Sequence, residues 1–458
     1  MSIEEINENI LDIARRILEL GPICNNCLGR QFAMLSTGLT NNDRGLAIKT
    51  VLSMEGSRSE NKEILELLAS CFRSSRLSLG IGEVDDASCW VCLGEMKSAN
   101  LVKWSEKAVQ SLQNWEGDSF LVGTKISGLL AENEELLLID GCSKYAEPFK
   151  SELNREVGKL IAFKTGKLVD FQGPDALVHL NLETGEVELQ ISPIYIYGRY
   201  KKLVRGIPQT RWPCRHCKGI GCECCNGTGK MYQESVDELI RPEIIKAAQA
   251  DDIVFHGAGR EDIDARMLGN GRPFIVETLR PKVRNFDLAK LQEEINKRTR
   301  GKVEVLGLVL TKAKHVEYLK EAAYQKTYSF KVEFSSEIEE EKLKSILKEL
   351  IGSVNQRTPT RVAHRRADKV RVRKVYRIEL IDFTGQTARV VVRGDSGLYI
   401  KELVSGDGGR TKPSLAGALG IDAVVSELDV IDVGGEVNGT LSWNAKENKA
   451  QAEQNSQN

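Results

Sequence analysis

Paired cysteines dictate which distant segments of this chain must meet in space. Cys24 and Cys27 form one Cys-x-x-Cys pair, Cys89 and Cys92 form another, and in each a glycine follows two positions after the second cysteine. Two intervening residues allow both thiolates to bind one ion, and the glycine lets the backbone turn behind them. Together the pairs supply four sulfur ligands, enough for a closed tetrahedral zinc site that stabilises the fold. The alternatives are redox-active or incidental pairs.

A second cysteine-rich segment lies at 213–230. Its pairs, Cys214 with Cys217 and Cys222 with Cys225, repeat the same spacing and the same glycines, and four residues separate them. Zinc again suits these ligands, but the separation is tight for one tetrahedral ion, so an iron–sulfur cluster stays open as an alternative. Over roughly fifteen residues the segment is also similar to the zinc region of DnaJ-type co-chaperones.

Composition limits the cellular setting. The 458 residues are 41% hydrophobic and 28% charged, which is ordinary for a globular protein of two or three domains. No apolar run of membrane-spanning length and no signal-peptide pattern is evident, so we expect a cytoplasmic protein. In that compartment the eleven cysteines favour metal ligation over disulfides. A net charge of −1 argues against nonspecific coating of nucleic acid, although one face can still be basic.

Local patterns predict mixed helix and strand. Apolar residues at gaps of three and four predict an N-terminal helix over 3–20, and a similar pattern predicts a helix over 287–298. Apolar runs predict strands over 119–127 and 135–140. The Asn-, Gln- and Lys-rich segment 437–458 is predicted to be disordered.

The loop from Gly257 to Gly269 concentrates charge between two strand-like apolar runs. It carries three carboxylates and two guanidiniums. Glycines let a backbone bend and approach a ligand closely, and loops on a rigid scaffold are where chemistry usually sits. Taken alone, the same pattern also fits a polar hairpin with solvated ion pairs.

Within this loop, Gly259-Arg260-Glu261-Asp262 resembles the Gly-Arg-x-Asp element of pseudouridine synthases. The longer stretch 258–277 resembles the archaeal and eukaryotic Pus-ten family, which isomerises uridine in the T-loop of tRNA, in archaea at positions 54 and 55. The resemblance implies that Asp262, and not Asp264, is the catalytic aspartate, attacking ribose or base without a cofactor. It also implies an α+β fold, with a mixed, mainly antiparallel catalytic sheet, flanking helices and an N-terminal zinc-containing THUMP-like accessory domain.

Two further strings resemble parts of the uracil pocket in this enzyme class. Lys326-Thr327-Tyr328 resembles the element whose tyrosine stacks on the target uracil. Gly397-Leu398-Tyr399-Ile400-Lys401 resembles the Gly-x-Tyr-Ile-Lys/Arg motif, which implies that Ile400 lines the pocket and Lys401 pairs with the catalytic aspartate, with Tyr399 beside them. Arg260 completes the predicted substrate-binding set. Without the resemblance, such tyrosines and isoleucines are more typical of a core.

Two basic stretches resemble the RNA-gripping loops of the family. The forefinger loop, 199–212, interleaves cations with aromatic residues, and the thumb loop, 357–374, holds eight Lys or Arg against one acid. Such residues suit phosphates and stacked bases, whereas the alternative is a solvated basic surface. We therefore expect the T-arm of tRNA as the partner, with no membrane or obligate protein partner. The predicted RNA-binding residues are Arg199, Tyr200, Lys201, Lys202, Arg205, Arg211, Arg361, His364, Arg365 and Arg366.

The predicted layout has the N-terminal helix and first knuckle at 1–49 and a THUMP-like domain at 50–175, with the second knuckle at 89–94. The catalytic domain follows at 190–436. Two other classes fit parts of the sequence. One is another THUMP-type tRNA-modifying enzyme, a methyltransferase or thiolase, although no glycine-rich nucleotide-binding loop is evident. The other is a noncatalytic, zinc-stabilised tRNA-binding or co-chaperone module.

Overall fold

Two units make up the chain, Met1–Ser192 and Pro193–Asn458, and each has its own hydrophobic core. The computed structural model describes residues 9–60, 62–82, 84–113, 115–141, 144–364 and 366–434. Arg365, the tail 437–458 and positions 3–8 of the predicted first helix therefore lie outside the described residues. No helix within those ranges is long and apolar enough to cross a membrane.

The first unit packs helices against a small sheet. Its α-helices are α1 (Ile10–Glu19), α2 (Asn25–Gly29), α3 (Asn41–Ser59), α4 (Lys62–Ala69), α5 (Arg73–Ser78), α6 (Ser98–Ser111), α7 (Gly128–Gly141) and α8 (Phe149–Thr165). Its strands are β1 (Ser119–Lys125), β2 (Leu168–Val169), β3 (Ala176–Asn181) and β4 (Glu186–Ile191). Strand β1 pairs in parallel with β2 and β3, and β4 pairs antiparallel with β3. The unit therefore extends past the predicted domain end at residue 175.

One predicted strand in this unit is wrong. The apolar run at 135–140 lies inside helix α7. Leu137 is fully buried, whereas its neighbours Leu136 and Leu138 are 52% and 45% exposed, so only one side of the helix enters the core. An apolar run this short cannot distinguish the 3.6-residue period of a helix from the two-residue period of a strand. The strong helix formers before the run favour the helix.

The second unit is a large sheet with helices against it. Its α-helices are α9 (Val236–Ala248), α10 (Leu288–Arg298), α11 (Lys314–Glu321), α12 (Glu340–Glu349), α13 (Ile400–Ser405) and α14 (Leu415–Leu419). Its strands are β5 (Tyr195–Lys202), β6 (Asp252–Gly257), β7 (Arg266–Leu279), β8 (Val303–Thr311), β9 (Lys326–Phe334), β10 (Gly352–Arg357), β11 (Val370–Phe383), β12 (Thr387–Gly394), β13 (Thr411–Lys412) and β14 (Ala423–Val433). The predicted helix over 287–298 is confirmed, and the Asp287 side chain caps it by accepting from Ala289 N and Lys290 N.

The sheet order brings the charged loop and the tyrosine strand together. The order is β13-β10-β11-β12-β9-β14-β7-β5-β8, and β6 pairs with β7. Among the described strand pairs of this large sheet, only β14 with β7 is parallel. This confirms the predicted mixed, mainly antiparallel sheet with flanking helices. Strand β14 separates β7, which follows the loop, from β9, which begins at Lys326. The start of β7 and the start of β9 therefore lie at the same middle part of the sheet.

Candidate active site

A buried charge network holds the loop between β6 and β7. The Glu261 carboxylate accepts from Arg272 Nε at 2.8 Å and from the Tyr200 hydroxyl at 2.9 Å. Gln209 donates to the Tyr200 hydroxyl at 2.8 Å and to Gly259 O at 2.9 Å. Gly259 has a φ of +73°, a conformation that favours glycine. The network anchors the residue just before Asp262 while the Asp262 side chain stays about one-third exposed, at 35%.

Two cations from separate segments reach Asp262. Arg361 Nη1 lies 3.2 Å from each carboxylate oxygen of Asp262, and Lys401 Nζ lies 3.8 Å from Oδ2. The same guanidinium is fixed by the buried Glu402, whose Oε1 accepts from Arg361 Nε at 2.6 Å. Asp262 therefore lies beside one cation of the thumb loop and one cation of α13 in the lining of the cleft.

The structure gives Lys401 two carboxylate neighbours, the predicted Asp262 and the nearer Asp264. Its ammonium bonds Asp264 Oδ2 at 2.6 Å and is more distant from Asp262. Although burial raises the pKa of Asp264, the hydrogen bond and charge of Lys401 bring it below its usual value. The closest cation to Asp262 is Arg361, which the sequence placed among RNA-binding residues. The sequence could not show which aspartate lies nearer to Lys401, because Asp262 and Asp264 lie on one short loop.

A cleft of about 340 Å³ opens above the loop. Its described lining includes every predicted substrate-binding residue, together with two guanidiniums of the thumb loop: Arg260, Asp262, Tyr328, Tyr399, Ile400, Lys401, Arg361 and Arg366. Tyr328 and Ile400 are 8% and 3% exposed and form an apolar part of the wall. Arg366 Nη1 donates to the Tyr399 hydroxyl at 2.7 Å. The lining combines the carboxylates of Glu261 and Asp262 with apolar and cationic neighbours, which suits a flat polar base attached to a phosphodiester.

Three predicted RNA-binding residues are buried instead. Tyr200 and Lys202 are fully buried, and Arg199 is 4% exposed, because β5 lies between β7 and β8 in the sheet. Lys202 Nζ donates to the carbonyls of Asp262 and Ile263 at 3.2 and 3.1 Å, and Arg199 donates to Val433 O at 2.6 Å. Tyr200 and Lys202 support the loop that carries Asp262, and all three side chains are too buried to offer a surface to RNA.

Other predicted RNA-binding residues are more accessible. Arg211 and His364 are exposed. Lys201 pairs with Glu304 at 3.2 Å, and Arg205 pairs with Asp429 at 2.7 Å, so these two are partly committed to neighbours. Arg260 lies over the Trp212 ring, with 5.3 Å between its Cζ and the ring centroid. This contact links the loop that carries Asp262 to the forefinger loop.

Sequence reasoning missed the residues that support the site. Glu261 and Arg272, each with a side chain 1% exposed, form an ion pair below the cleft, and Glu402 orients Arg361. A charged residue inside the apolar strand β7 was the available signal for Arg272, because charges are almost never fully buried unless paired. Lys326, buried and lining the cleft, was quoted only as part of a motif.

Both predicted cysteine clusters assemble. In each, all four sulfurs lie within 4.8 Å of one another. A single ion with zinc–sulfur bonds of ~2.3 Å requires sulfur separations of about 3.8 Å. Cys24 and Cys92 are 3.8 Å apart, and Cys217 and Cys225 are also 3.8 Å apart. The residues therefore fit one tetrahedral ion in each cluster.

The second cluster is not too tight for one ion. Cysteines that bind different irons of a cluster lie further apart than cysteines on one ion, so the close approach favours the single ion. His216, Cys222 and Cys224 also come together, but His216 and Cys224 are exposed and supply fewer sulfurs. In the first cluster, Arg30 Nη1 donates to Cys27 Sγ at 3.0 Å, a contact that offsets the negative charge of four thiolates.

Comparisons with known proteins agree along most of the chain. A family model described as "Pus10, C-terminal" matches residues 195–434, and one described as "Pus10 THUMP domain, archaeal" matches residues 104–181. The chain is 60% identical over 440 residues to the tRNA pseudouridine synthase Pus10 of Methanothrix thermoacetophila, covering 95% of this chain and 97% of that protein. Identity to the Pus10 of Methanocaldococcus jannaschii is 42% over 443 residues, covering 94% and 96%. A chain of the Cbf5-Nop10-Gar1 complex gives 21% identity and a TM-score of 0.28 over 43% of this chain and 45% of that chain, too weak a likeness to carry an argument.

Proposed function

The chain belongs to the Pus10 family of tRNA pseudouridine synthases, and we propose that it isomerises uridine to pseudouridine at positions 54 and 55 of the T-loop of tRNA. The observation that carries the proposal is the Asp262 carboxylate, which lies beside Arg361 at 3.2 Å in a cleft that Tyr328 and Ile400 also line. The names of the relatives support this isomerase over a methyltransferase or thiolase. A tRNA substrate implies action in the cytoplasm.

The proposed reaction begins with a flipped uridine. Inside a stacked helix or loop the glycosidic bond is out of reach, so the nucleotide must enter the cleft. Tyr328 stacks on the base, and Ile400 packs against its edge. Asp262 attacks as a nucleophile at ribose or base, the N1–C1′ bond breaks, and the uracil rotates. A C5–C1′ bond then forms, the bond to Asp262 breaks and releases the carboxylate, and the proton lost from C5 is balanced by one gained at N1. Reactant and product contain the same atoms, so the reaction needs no cofactor.

Arg361 and Lys401 take distinct parts in this proposal. Arg361, held on its far edge by Glu402 at 2.6 Å, positions the Asp262 carboxylate in the cleft through the contact at 3.2 Å. Lys401 holds Asp264 at 2.6 Å and so fixes the shape of the loop. Cations of the thumb loop then bind the phosphates on either side of the flipped nucleotide.

The remaining parts of the chain position the tRNA. We assign the match at 104–181 to an accessory domain that holds the tRNA while the thumb and forefinger loops grip the T-arm. Zinc is the ion that best suits each four-cysteine cluster, and its role is structural because all four ligand positions are filled by protein. The second cluster stiffens the segment 213–230, which follows the forefinger loop.

The test uses an unmodified tRNA transcript. We expect the wild-type protein to produce pseudouridine in the T-loop, and Asp262→Asn to bind the tRNA with similar affinity and produce none. Asp422→Asn is the matched control, because it neutralises an exposed carboxylate that does not line the cleft, and it should retain turnover. Chemical mapping of pseudouridine measures all three. Turnover by Asp262→Asn would remove the nucleophile assignment, and tight binding without product in the wild type would favour a noncatalytic binding protein.

A further inference from the structure

Lys326 is a cation of the cleft whose charge is not balanced by a neighbouring carboxylate. Three other cations near Asp262 each have a carboxylate: Arg272 pairs with Glu261 at 2.8 Å, Arg361 with Glu402, and Lys401 with Asp264. Among the described residues, no carboxylate oxygen lies within 4.0 Å of Lys326 Nζ. The residue is nevertheless only 7% exposed. Burying a charge without such a partner is costly, and negative charge on an occupant of the cleft would offset that cost.

Geometry directs Lys326 toward the base and not toward the phosphates. Lys326 and Tyr328 are two positions apart on β9, so their side chains leave the same face of the strand, about 7 Å apart. A Cβ added to Gly259 would meet Lys326 Nζ at 3.3 Å, which places the ammonium against the loop that carries Asp262. The outer cations Arg260 and Arg366 are exposed and are better placed for the RNA backbone. Lys326 therefore lies at the depth of the stacked uracil.

We propose that Lys326 stabilises the negative charge that the uracil acquires when its bond to ribose breaks. This inference rests on the proposed function. When the N1–C1′ bond breaks, its electron pair stays on the uracil and spreads to O2 and O4, and the ammonium donates a hydrogen bond to one of these oxygens. C5 then uses the pair to bond C1′ and the bond to Asp262 breaks, which releases the carboxylate. C5 loses its proton to water, and N1 gains a proton from water. A fixed cation at developing charge is a usual source of rate acceleration.

The direct test compares Lys326→Met with Lys331→Met. Lys331 lies on the same strand at a position of opposite parity, so its side chain leaves the other face, and it does not line the cleft. We expect the single-turnover rate of pseudouridine formation to fall about 100-fold in Lys326→Met, with the Kd for tRNA unchanged and no fall in Tm. Lys331→Met should behave as wild type. A Lys326→Met rate within about threefold of wild type would overturn the proposal.

A second readout separates leaving-group stabilisation from a structural role. The base of 5-fluorouridine is a better leaving group, because fluorine withdraws electrons, so its departure depends less on an outside cation. With 5-fluorouridine at the target position, the deficit in glycosidic cleavage by Lys326→Met should shrink from about 100-fold to about 10-fold. An equal deficit with both bases would contradict the proposal. If Lys326→Met is unstable, Lys326→Gln, which keeps a hydrogen-bond donor, takes its place in the same comparison.

Failure of this inference and failure of the proposed function give different results. Wild-type protein that forms no pseudouridine would overturn the proposed function and this inference with it. Wild-type protein that reacts, together with a fully active Lys326→Met, would overturn the role of Lys326 alone.

Discussion

At the residue scale, the buried ion pair of Glu261 and Arg272 makes the stability of the fold sensitive to substitution at the site. Both side chains are 1% exposed and lie 2.8 Å apart. Removing one partner of a buried pair leaves an uncompensated charge, which typically costs about 3–5 kcal/mol. We expect Glu261→Gln to lower the free energy of unfolding by that order, measured by urea denaturation. Glu293→Gln, an exposed change on α10, is the control and should have little effect.

The double variant tests whether charge, and not shape, is responsible. Glu261→Gln combined with Arg272→Met removes both charges, so part of the lost stability should return. An equal loss of unfolding free energy in the single and double variants would instead indicate that the pair stabilises the fold through its hydrogen bonds to Tyr200 and to Ala258 O.

The titration of Lys326 gives a prediction for pH. Burial and the positive charge of Arg272 lower the pKa of Lys326 to about 7, and Glu261 opposes the shift. The ammonium is present below this pKa and is lost as the pH rises through it. If the charged form is required, kcat/KM should fall as the pH rises above about 7, and this limb should be absent in Lys326→Met. A wild-type profile that stays flat from roughly pH 6 to pH 8 would contradict the requirement.

At the element scale, the sequence predicted the features that depend on local residue patterns. Helix α10 was visible because a helix face is a local property of the sequence. The burial of Tyr200 and Lys202 was not, because it depends on β5 lying between two strands that come from other parts of the chain. For the same reason the sequence singled out Asp262, which lines the cleft, but could not show that Arg361 is its closest cation among the described residues.

The cysteine clusters are the other elements that local pattern predicted. Four sulfurs within 4.8 Å in each cluster lead us to expect zinc at about two ions per chain. Cys217→Ser should reduce the zinc content to one ion. Cys224→Ser is the matched control, since this exposed neighbour is outside the four-cysteine set, and it should retain both ions. Elemental analysis provides the measurement, and iron in stoichiometric amount would contradict the assignment of the second cluster.

At the scale of the whole molecule, charge is balanced overall but distributed unevenly. The chain has 64 Lys and Arg against 65 Asp and Glu, so its net charge gives little long-range attraction for RNA. Affinity must then come from local cations, and the described residues place several of them around the cleft. Many acidic groups are already paired with such cations, as Arg361 is with Glu402. The cations that remain exposed should therefore control how tRNA affinity depends on salt.

Arg366 offers a direct test of this distribution. It is exposed, lines the cleft and bonds the Tyr399 hydroxyl at 2.7 Å. If it neutralises one phosphate, Arg366→Gln should weaken tRNA binding and reduce the slope of log K against log salt by about 1. Lys348→Gln, at an exposed position of α12, removes the same charge on a flanking helix and should leave the slope unchanged. Equal slopes for wild type and Arg366→Gln would place the RNA backbone away from this side of the cleft, because counterion release reports phosphate contacts and not net charge.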